Sequence, residues 1–328
     1  SREMRPTELE IATRKNPCAR TNFAAPWDDS AAITPTRARV ARYRSISAAQ
    51  MVIYQRKSHQ RAAALSLVDS RCSSLVVAQD AAPSSSAALP PLEGSSLDPA
   101  SGDLDAARAA RKRQQISSLA AHALAVVDEI GAGARVVEFG AGSGHLGLLV
   151  AHVRPDCVVT LVELKAHSCA VARERAASLP NVSIFEGSVD DFAATDEPFD
   201  CALGLHLCGL LTDSVAALVV RRRARAAIVP CCYGQLAGIE DHRRGGGIAP
   251  SGRARSDAFA AALGDGDAAD AWASVCRSAD GVATSKGGGF DVADPSFESA
   301  ARAMALVDSD RCHWLRQAGY RAALSRLE

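Results

Sequence analysis

The sequence predicts an α/β fold in which a mostly parallel β-sheet carries helices on both faces. Two observations support this prediction. From about residue 105 onward, short apolar strands alternate with longer helical segments, and consecutive parallel strands need crossovers of that kind. The strands are also apolar along most of their length, which is typical of strands buried on both faces. Ligands of such sheets bind at the carboxyl ends of the strands.

The elements follow one another in a regular order. Apolar residues at helical spacing between Ile116 and Ile130 predict a helix that ends at Gly131. Five strands are predicted after it, at 135–139, 157–163, 181–187, 199–205 and 225–229. A long helix from about Phe297 to Ala318 precedes a sixth predicted strand, YRAALSRL, at the end of the sequence.

Composition divides the chain into three parts. Residues 1–80 are predicted to be a low-complexity basic region, because 30–68 contain arginines but no acidic residue. This composition is typical of an organellar transit peptide or of a disordered tail, and both interpretations stay open. Residues 81–104 are predicted to be a Pro/Ser/Ala linker. Residues 105–328 are the predicted folded domain, with a Gly-rich insertion at about 235–294 that contains two short helices.

Charge, cysteine usage and hydropathy exclude several classes of protein. The chain has 37 basic and 37 acidic residues, so no net charge indicates a nucleic-acid or membrane partner. Its ten cysteines are dispersed, which favours a reducing compartment. Apolar runs are too short to span a bilayer. We therefore expect no membrane segment and a cytoplasmic location, with organellar import as the alternative that the N-terminal composition leaves open.

A glycine-rich loop in the segment VVEFGAGSGHLG, at 136–147, indicates a nucleotide-like ligand. The dinucleotide fingerprint has glycines at its first, third and sixth positions. Gly140 and Gly142 supply the first two, but His145 stands at the sixth position and the third glycine, Gly144, comes one residue early. The Gly-Lys-Ser/Thr ending of a phosphate P-loop is also absent. The tighter spacing suits a ligand that has no phosphate and whose amino-acid portion lies across the loop. The alternative interpretation is that the glycines only form a tight strand-to-helix turn.

The same loop resembles motif I of the class I S-adenosylmethionine-dependent methyltransferases. The resemblance implies a Rossmann-like class I methyltransferase fold and S-adenosylmethionine as the cofactor. In that interpretation Glu138 orients the loop or meets the ammonium of the ligand through water, and Glu163 binds both ribose hydroxyls. The donor-binding residues predicted in this way are Glu138, Gly140, Gly142, Gly144, Glu163, Val189, Asp190 and His206.

The third predicted strand departs from the usual methyltransferase pattern. An acidic residue commonly follows that strand and meets the amino group of the adenine, but Ser188 stands at this position. Either the backbone at Val189 or the side chain of Asp190 would then contact the adenine. Both Asp190 and Asp191 also have a simpler interpretation, because acidic residues are favourable at a helix N-terminus.

Two motifs follow the fourth and fifth strands, GLHLCGLLTD at 204–213 and VPCCYGQ at 229–235. They resemble the methyltransferase domain of the glutathione S-transferase C-terminal domain-containing protein family. The likeness extends over about 108–328 and includes RKRQQ before the first strand and LVDSDR and AGY near the end of the sequence. A more distant likeness is to a tRNA ribose 2′-O-methyltransferase family. The last, antiparallel strand of the class I sheet is expected to be missing from this sequence.

Neighbouring strands place the residues of these two motifs together beside the methyl group of the donor. His206 is predicted to take the proton of the methyl acceptor, or else to tie two loops together. Tyr233 is predicted to stack on a flat acceptor such as a base, or else to be a half-buried aromatic residue. Thr212 and Asp213 are predicted to cap the following helix.

Three thiols and an imidazole also raise the question of a zinc site. Cys231 and Cys232 are adjacent, so their side chains are expected to project awkwardly for joint ligation, and the sequence has no Cys-x-x-Cys pair. No metal site is therefore predicted, and these thiols together with Cys208 are expected to line the pocket.

The function that these features favour is methyl transfer from S-adenosylmethionine, with RNA as the acceptor class suggested by the tRNA-enzyme likeness and by local basic clusters. Those clusters lie at Arg111–Arg113, Arg221–Arg225 and Arg243–Arg244. A non-catalytic scaffold that keeps the donor pocket is the alternative from another class. A nicotinamide oxidoreductase is disfavoured by His145. The sequence identifies neither the acceptor molecule nor the oligomeric state.

Overall fold

A computed structural model describes residues 7–13, 48–80, 88–102, 104–238, 252–280 and 295–327. Its eight strands form one sheet in the order β2-β8-β1-β7-β6-β3-β4-β5, and every strand pair in this part of the chain is parallel. The strands are β1 Thr7–Thr13, β2 Gln79–Asp80, β3 Arg135–Phe139, β4 Val158–Glu163, β5 Val182–Glu186, β6 Cys201–Cys208, β7 Arg225–Cys231 and β8 Tyr320–Arg326.

Helices cover both faces of this sheet, which confirms the predicted α/β class. They are α1 Ala48–Cys72, α2 Ala106–Ile130, α3 His145–Val153, α4 Ala166–Ala176, α5 Val189–Ala194, α6 Leu210–Arg222, α7 Asp257–Leu263, α8 Asp267–Ala279 and α9 Pro295–Gln317. The start of α2 is fixed by Asp105, whose side chain accepts a hydrogen bond from the backbone N–H of Arg108. None of the helices in the described segments combines the length and apolar character needed to cross a bilayer.

The central strands alternate their side chains between two hydrophobic layers. Val136 of β3 faces a layer with Ile116 and Leu119 of α2, whereas Val137 and Phe139 face the opposite layer. In that second layer the ring of Phe139 packs edge-on against Phe192 and Phe199. Burying each such side chain stabilises the fold by ~1.5–3 kcal/mol. Because both layers are filled, the loops at the carboxyl ends of the strands rest on a rigid support.

The domain boundary predicted at residue 105 is wrong for two segments of the N-terminal region. Strand β1 lies between β7 and β8 and pairs with both, with Leu9 opposite Ala226 and Ala322. Helix α1 packs on α8 and α9 through a stripe of buried residues. The stripe, Leu65, Val68 and Cys72, has helical spacing that the surrounding Ser, Ala and Arg residues conceal. Residues 14–47 lie outside the described part.

The predicted linker at 81–104 is wrong for residues 88–102. Leu92 and Leu97 are buried in the hydrophobic layer under α2. Asp98 accepts two hydrogen bonds from Arg113, at 2.9 Å each, and its oxygens also accept the backbone N–H groups of Gly94 and Ala100. The side chain of Arg113 holds the pKa of Asp98 below its usual range. This segment is therefore fixed to α2 by charge as well as by packing.

The Gly-rich insertion predicted at about 235–294 contains the two expected short helices, α7 and α8. Phe259 of α7 and Trp272 of α8 pack against each other and are buried. Both helices contact α1 and α9, so this part of the insertion packs against the rest of the domain. The stretches 239–251 and 281–294 lie outside the described residues.

Candidate functional site

The glycine loop connects the carboxyl end of β3 to the first turn of α3. Gly140, Gly142 and Gly144 all have left-handed backbone conformations, with φ of 64°, 57° and 78°. A Cβ at Gly144 would lie 2.6 Å from Leu161 Cδ1, so this position is packed tightly against β4. A Cβ at Gly142 would meet nothing within 4 Å. The loop is therefore packed behind and open in front, as a backbone that lies against a ligand needs to be.

Glu163, the last residue of β4, connects this strand to the glycine loop. Its Oε2 accepts the backbone N–H of Gly142 at 2.8 Å, and its Oε1 accepts the backbone N–H of Lys165 at 2.8 Å. A carboxylate offers about four acceptor positions. The two backbone bonds orient the group and leave acceptor positions for the hydroxyls of a ligand, so the structure brings Gly142 and Glu163 together as the sequence predicted.

Glu138, in the middle of the site, supports the loop from below. Its side chain is buried, and its Oε2 accepts the backbone N–H of Gly147 at 2.8 Å in the first turn of α3. Burial raises the pKa of Glu138 to about 8, although the hydrogen bond from Gly147 and the nearby ammonium of Lys112 act in the opposite direction. This geometry supports the loop-orienting role of the two that the sequence left open for Glu138.

Lys112, which belongs to the basic cluster at 111–113, lies close enough to Glu138 for the two charges to interact. Burial, followed by the charge of Arg175, lowers the pKa of Lys112. His145 is buried, and burial followed by Arg175 and Lys112 lowers its pKa to about 3. Arg175 places Nη1 within 2.6 and 2.9 Å of the two ring nitrogens of His145. The residue at the sixth fingerprint position is therefore a neutral histidine that takes part in packing.

His206 lies in an irregularity of β6, where the pairing with β7 shifts between Leu205 and Leu207. Its φ is 65°, a conformation that costs a non-glycine residue roughly 1–3 kcal/mol and occurs preferentially at functional sites. Its Nε2 lies 3.2 Å from Oε1 of Gln115 on α2. With the amide oxygen of Gln115 facing the ring, Nε2 donates to it, and in the neutral tautomer that makes this bond Nδ1 is the nitrogen that can accept a proton.

The N-terminus of α5 follows the third strand of the predicted order. Ser188 caps this helix and forms a capping box with Asp191, whose pKa the hydrogen bonds from Ser188 lower. Val189 is buried, and Asp190 is exposed in the first turn. Asp190 and Asp191 both lie in the first turn, as their interpretation as helix N-terminal charges predicts, and Asp190 and the backbone at Val189 stay candidates to contact a ligand.

The catalytic role predicted for Tyr233 is wrong. The ring is 3% exposed, and its hydroxyl donates a 2.7 Å hydrogen bond to Asp308 of α9. The guanidinium of Arg311 lies 5.4 Å from the ring centroid, and burial raises the pKa of Tyr233. Helix α9 covers this side of the 229–235 motif, so the ring has no free face on which an acceptor could stack.

The capping role predicted for Thr212 and Asp213 is also wrong. Thr212 donates a hydrogen bond to the backbone carbonyl of Leu207 at 2.7 Å. Asp213 is fully buried and binds the guanidinium groups of Arg311 at 2.8 Å and Arg255 at 3.1 Å. Neither side chain caps α6, because both are used in contacts that fix the loop after β6.

Three thiols converge at the carboxyl ends of β6 and β7. The Sγ of Cys208 lies 3.3 Å from the Sγ of Cys231 and 3.3 Å from that of Cys232. The expectation that adjacent cysteines project awkwardly is wrong here, because Cys232 has a left-handed conformation with φ of 54°. Burial raises the pKa of Cys232 to about 11, and the hydrogen bond with Cys208 raises that of Cys231.

Residues 111–238, which contain the glycine loop, Glu163 and His206, match a family model that is described as a methyltransferase domain. This segment is thus similar to a methyltransferase domain, and its parallel sheet flanked by helices is the Rossmann-like fold of such domains. The glutathione S-transferase C-terminal domain-containing protein of Xenopus laevis is 39% identical over 139 residues, which cover 42% of this chain and 22% of that protein. Its Drosophila melanogaster homolog is 31% identical over 223 residues, which cover 67% of this chain and 34% of that protein.

Ribosomal RNA small subunit methyltransferase G of Sorangium cellulosum is 37% identical over 101 residues, 30% of this chain and 38% of that protein. Among solved structures, the bifunctional kinase-methyltransferase WbdD is 22% identical with a TM-score of 0.31 and covers 42% of this chain and 32% of its own. The chain thus spans about a fifth to a third of the length of the first curated relatives it matches.

The methyltransferase domain brings the glycine loop, Glu163 and His206 to one edge, at the carboxyl ends of β3, β4 and β6. It also brings two residues there that sequence reasoning missed. Gln115 was part of the RKRQQ segment but had been given no role. Leu164, directly after Glu163, is 63% exposed although it is apolar. The sequence feature that could have indicated Leu164 is an apolar residue placed directly after the carboxylate at the end of a strand.

Proposed function

We propose that this chain is a methyltransferase that uses S-adenosylmethionine as its methyl donor. The observation that supports the proposal best is the contact between Glu163 and the backbone of Gly142. It fixes a carboxylate with spare acceptor positions beside a loop whose front is open. A sulfonium nucleoside needs both features, because its ribose presents two hydroxyl donors and its amino-acid portion lies against the backbone.

The residues of the domain suit the parts of such a donor. Glu163 would accept hydrogen bonds from the ribose hydroxyls, and the glycine loop would hold the amino-acid portion. The exposed side chain of Leu164 would cover the apolar face of the adenine. A bound donor would thereby remove this apolar side chain from water, which is favourable. Asp190 or the backbone at Val189 would bind the adenine amino group.

When bound, the donor supplies a methyl group activated by a sulfonium, and the reaction breaks the bond from sulfur to carbon. His206 would take the proton that the acceptor atom loses as it bonds to the methyl carbon. Gln115 supports this role because it fixes the tautomer in which Nδ1 has a lone pair. Positioning of donor and acceptor supplies most of the catalysis in displacements of this kind.

The acceptor that we propose is RNA. The relative from Sorangium cellulosum carries a ribosomal RNA methyltransferase name, and Arg111 is exposed on the same half of α2 as Gln115. The other basic clusters support this less. Arg113 and Arg222 are held in ion pairs with acidic residues, and α6 runs away from the site so that its last turn lies at the opposite end of the strands.

Two measurements test the proposal. Calorimetric titration of the full chain with S-adenosylmethionine should give one binding event per chain. Labelled methyl from that donor should then pass to the RNA fraction of a cell extract and disappear after ribonuclease treatment. Binding without transfer to any fraction would indicate the non-catalytic scaffold, and transfer to protein alone would reject RNA as the acceptor.

The role of His206 has its own test. The variant His206→Asn replaces the imidazole by an amide that has no nitrogen able to take a proton. We expect donor affinity to stay within about threefold of the wild type while transfer falls by ~10²-fold or more. Gln115→Glu should instead shift the pH profile of transfer, because a carboxylate beside His206 favours its protonated form. An unchanged rate for His206→Asn would reject His206 as the base.

A further inference from the structure

The cluster of three thiols at the ends of β6 and β7 has no role in the proposed methyl transfer. We propose that Cys208, Cys231 and Cys232 form a three-thiolate binding site for a soft metal ion, Zn²⁺ or Cu⁺. This inference rests on the arrangement of the sulfur atoms, and it holds whether or not the chain transfers methyl groups.

The fold itself brings the three sulfur atoms together. Cys208 and Cys231 are register partners on the neighbouring parallel strands β6 and β7. The backbone N–H of Gly209 donates to the carbonyl of Cys231 at 2.6 Å, which holds the two strand ends together. The left-handed conformation of Cys232 then turns its side chain toward Cys208, so that all three Sγ atoms lie within 4.8 Å of one another.

The sulfur spacing fits a metal ion. Zn–S bonds of ~2.3 Å at tetrahedral angles separate two sulfur ligands by about 3.8 Å. Two of the Sγ–Sγ distances are 3.3 Å, slightly shorter than this value, and the third is no longer than 4.8 Å. Side-chain rotations that move the sulfur atoms by about half an ångström would therefore bring them to the separation that zinc requires. Thiolates are also the ligands that select zinc and monovalent copper over harder ions.

Access and surroundings agree with a metal site. Cys208 and Cys232 are partly exposed, so an ion can reach the cluster, whereas Cys231 is buried and anchors it. In the segments that the structure describes, no other His, Cys, Asp and Glu side chains form such a group. The remaining described cysteines are buried away from it.

A second observation comes from Asp280, at the end of α8. Its Oδ2 accepts the backbone N–H of Gly234 at 3.0 Å, two residues beyond Cys232. Its Oδ1 is buried and has no hydrogen-bond partner among the described residues. Leaving a buried acceptor unpaired is costly. The carboxylate lies close enough to Cys232 for the two groups to interact electrostatically, so a cation at the cluster would offset a buried negative charge that lacks one of its partners.

The experiment uses the full chain, reduced and freed of metal, then equilibrated with Zn²⁺ in one arm and with Cu⁺ under anaerobic conditions in the other. Native mass spectrometry and metal analysis should find one ion per chain in at least one arm. Cys208→Ala, Cys231→Ala and Cys232→Ala should each weaken that binding by more than ~10-fold, because each removes a ligand. The matched control is Cys157→Ala, which removes a buried thiol outside the cluster and should leave binding unchanged.

Three results would overturn the proposal. They are the absence of a retained ion in both arms, equal affinity in the cluster variants and the control, and a mass two hydrogens lower that marks a disulfide in place of a metal. If an alanine variant does not fold, X-ray absorption on the metal-loaded wild type decides the question. Three sulfur ligands would support the site, and fewer than three would refute it.

Discussion

Replacement of Glu163 should remove the affinity of the chain for S-adenosylmethionine. The carboxylate would accept one hydrogen bond from each ribose hydroxyl, and hydrogen bonds to a charged group contribute roughly 1.5–3 kcal/mol each. Glu163→Ala should therefore cost ~3–6 kcal/mol of binding free energy. At about 1.4 kcal/mol for each factor of ten, the dissociation constant should rise by at least ~10²-fold.

The backbone contacts of Glu163 make a second variant necessary. Glu163→Ala also leaves the N–H groups of Gly142 and Lys165 without their acceptor, which can loosen the loop. Glu163→Gln keeps the shape and one acceptor oxygen, but its amide NH₂ opposes one of those two N–H groups. We expect its affinity to lie between those of the wild type and Glu163→Ala.

Calorimetry with the donor measures these affinities, and thermal unfolding of each variant checks that the fold is intact. Glu174→Ala, which removes an exposed carboxylate from α4, is the matched control and should bind as the wild type does. If folded Glu163→Ala bound the donor within threefold of the wild type, Glu163 would not contact the ribose and the site would be misassigned.

Three further predictions concern stability, and urea unfolding measures each of them. The pKa of Glu138 is raised from 4.5 to about 8 in the folded chain. Between these two pH values the folded chain binds more protons than the unfolded chain. The contribution of Glu138 to stability is therefore lost as the pH rises from about 4.5 to about 8. Glu138→Gln should therefore flatten the pH dependence between about 5 and 8; a profile that stays as steep as the wild type's would contradict this. Tyr233→Phe should lower the unfolding free energy by ~1–3 kcal/mol, because the buried carboxylate of Asp308 loses a hydrogen-bond donor. The affinity for S-adenosylmethionine should stay unchanged. A loss of donor affinity in that variant would reopen a binding role for the tyrosine. Gly144→Ala should destabilise by ~2–4 kcal/mol through the contact with β4, whereas Gly142→Ala should cost only ~1–2 kcal/mol. Equal losses would show that the two glycines are not packed differently.

The part of the site that the sequence predicted is local in the chain. The glycine loop and Glu163 belong to one strand-helix-strand unit, and Gly142 and Glu163 are 21 residues apart. Within such a unit, glycine spacing and the carboxyl end of the next strand determine the geometry almost alone. The periodicity of α2 and of the apolar strands was equally local, which is why the end of α2 and the bounds of the strands were predicted within a few residues.

The part that could not be predicted depends on contacts between distant segments. The role of Tyr233 was decided by α9, because the partner of its hydroxyl lies 75 residues further along the chain. Nothing in the 229–235 motif shows which face a later helix will cover. The segment 88–102 was misinterpreted for a similar reason, since Leu92 and Leu97 become core residues only when α2 is in place beside them.

The motifs that carry the family resemblance meet at one buried guanidinium. Arg311 donates from Nε to Asp213 at 2.8 Å, from Nη1 to Asp308 at 3.1 Å, and from Nη2 to the carbonyl of Gly209 at 3.2 Å. Asp213 and Gly209 belong to GLHLCGLLTD, and Asp308 and Arg311 belong to LVDSDR. Breaking a buried pair of this kind costs roughly 3–5 kcal/mol, because it leaves a charge unpaired. The shared residues of these motifs thus hold the loop after β6 in place, next to the strand that carries His206.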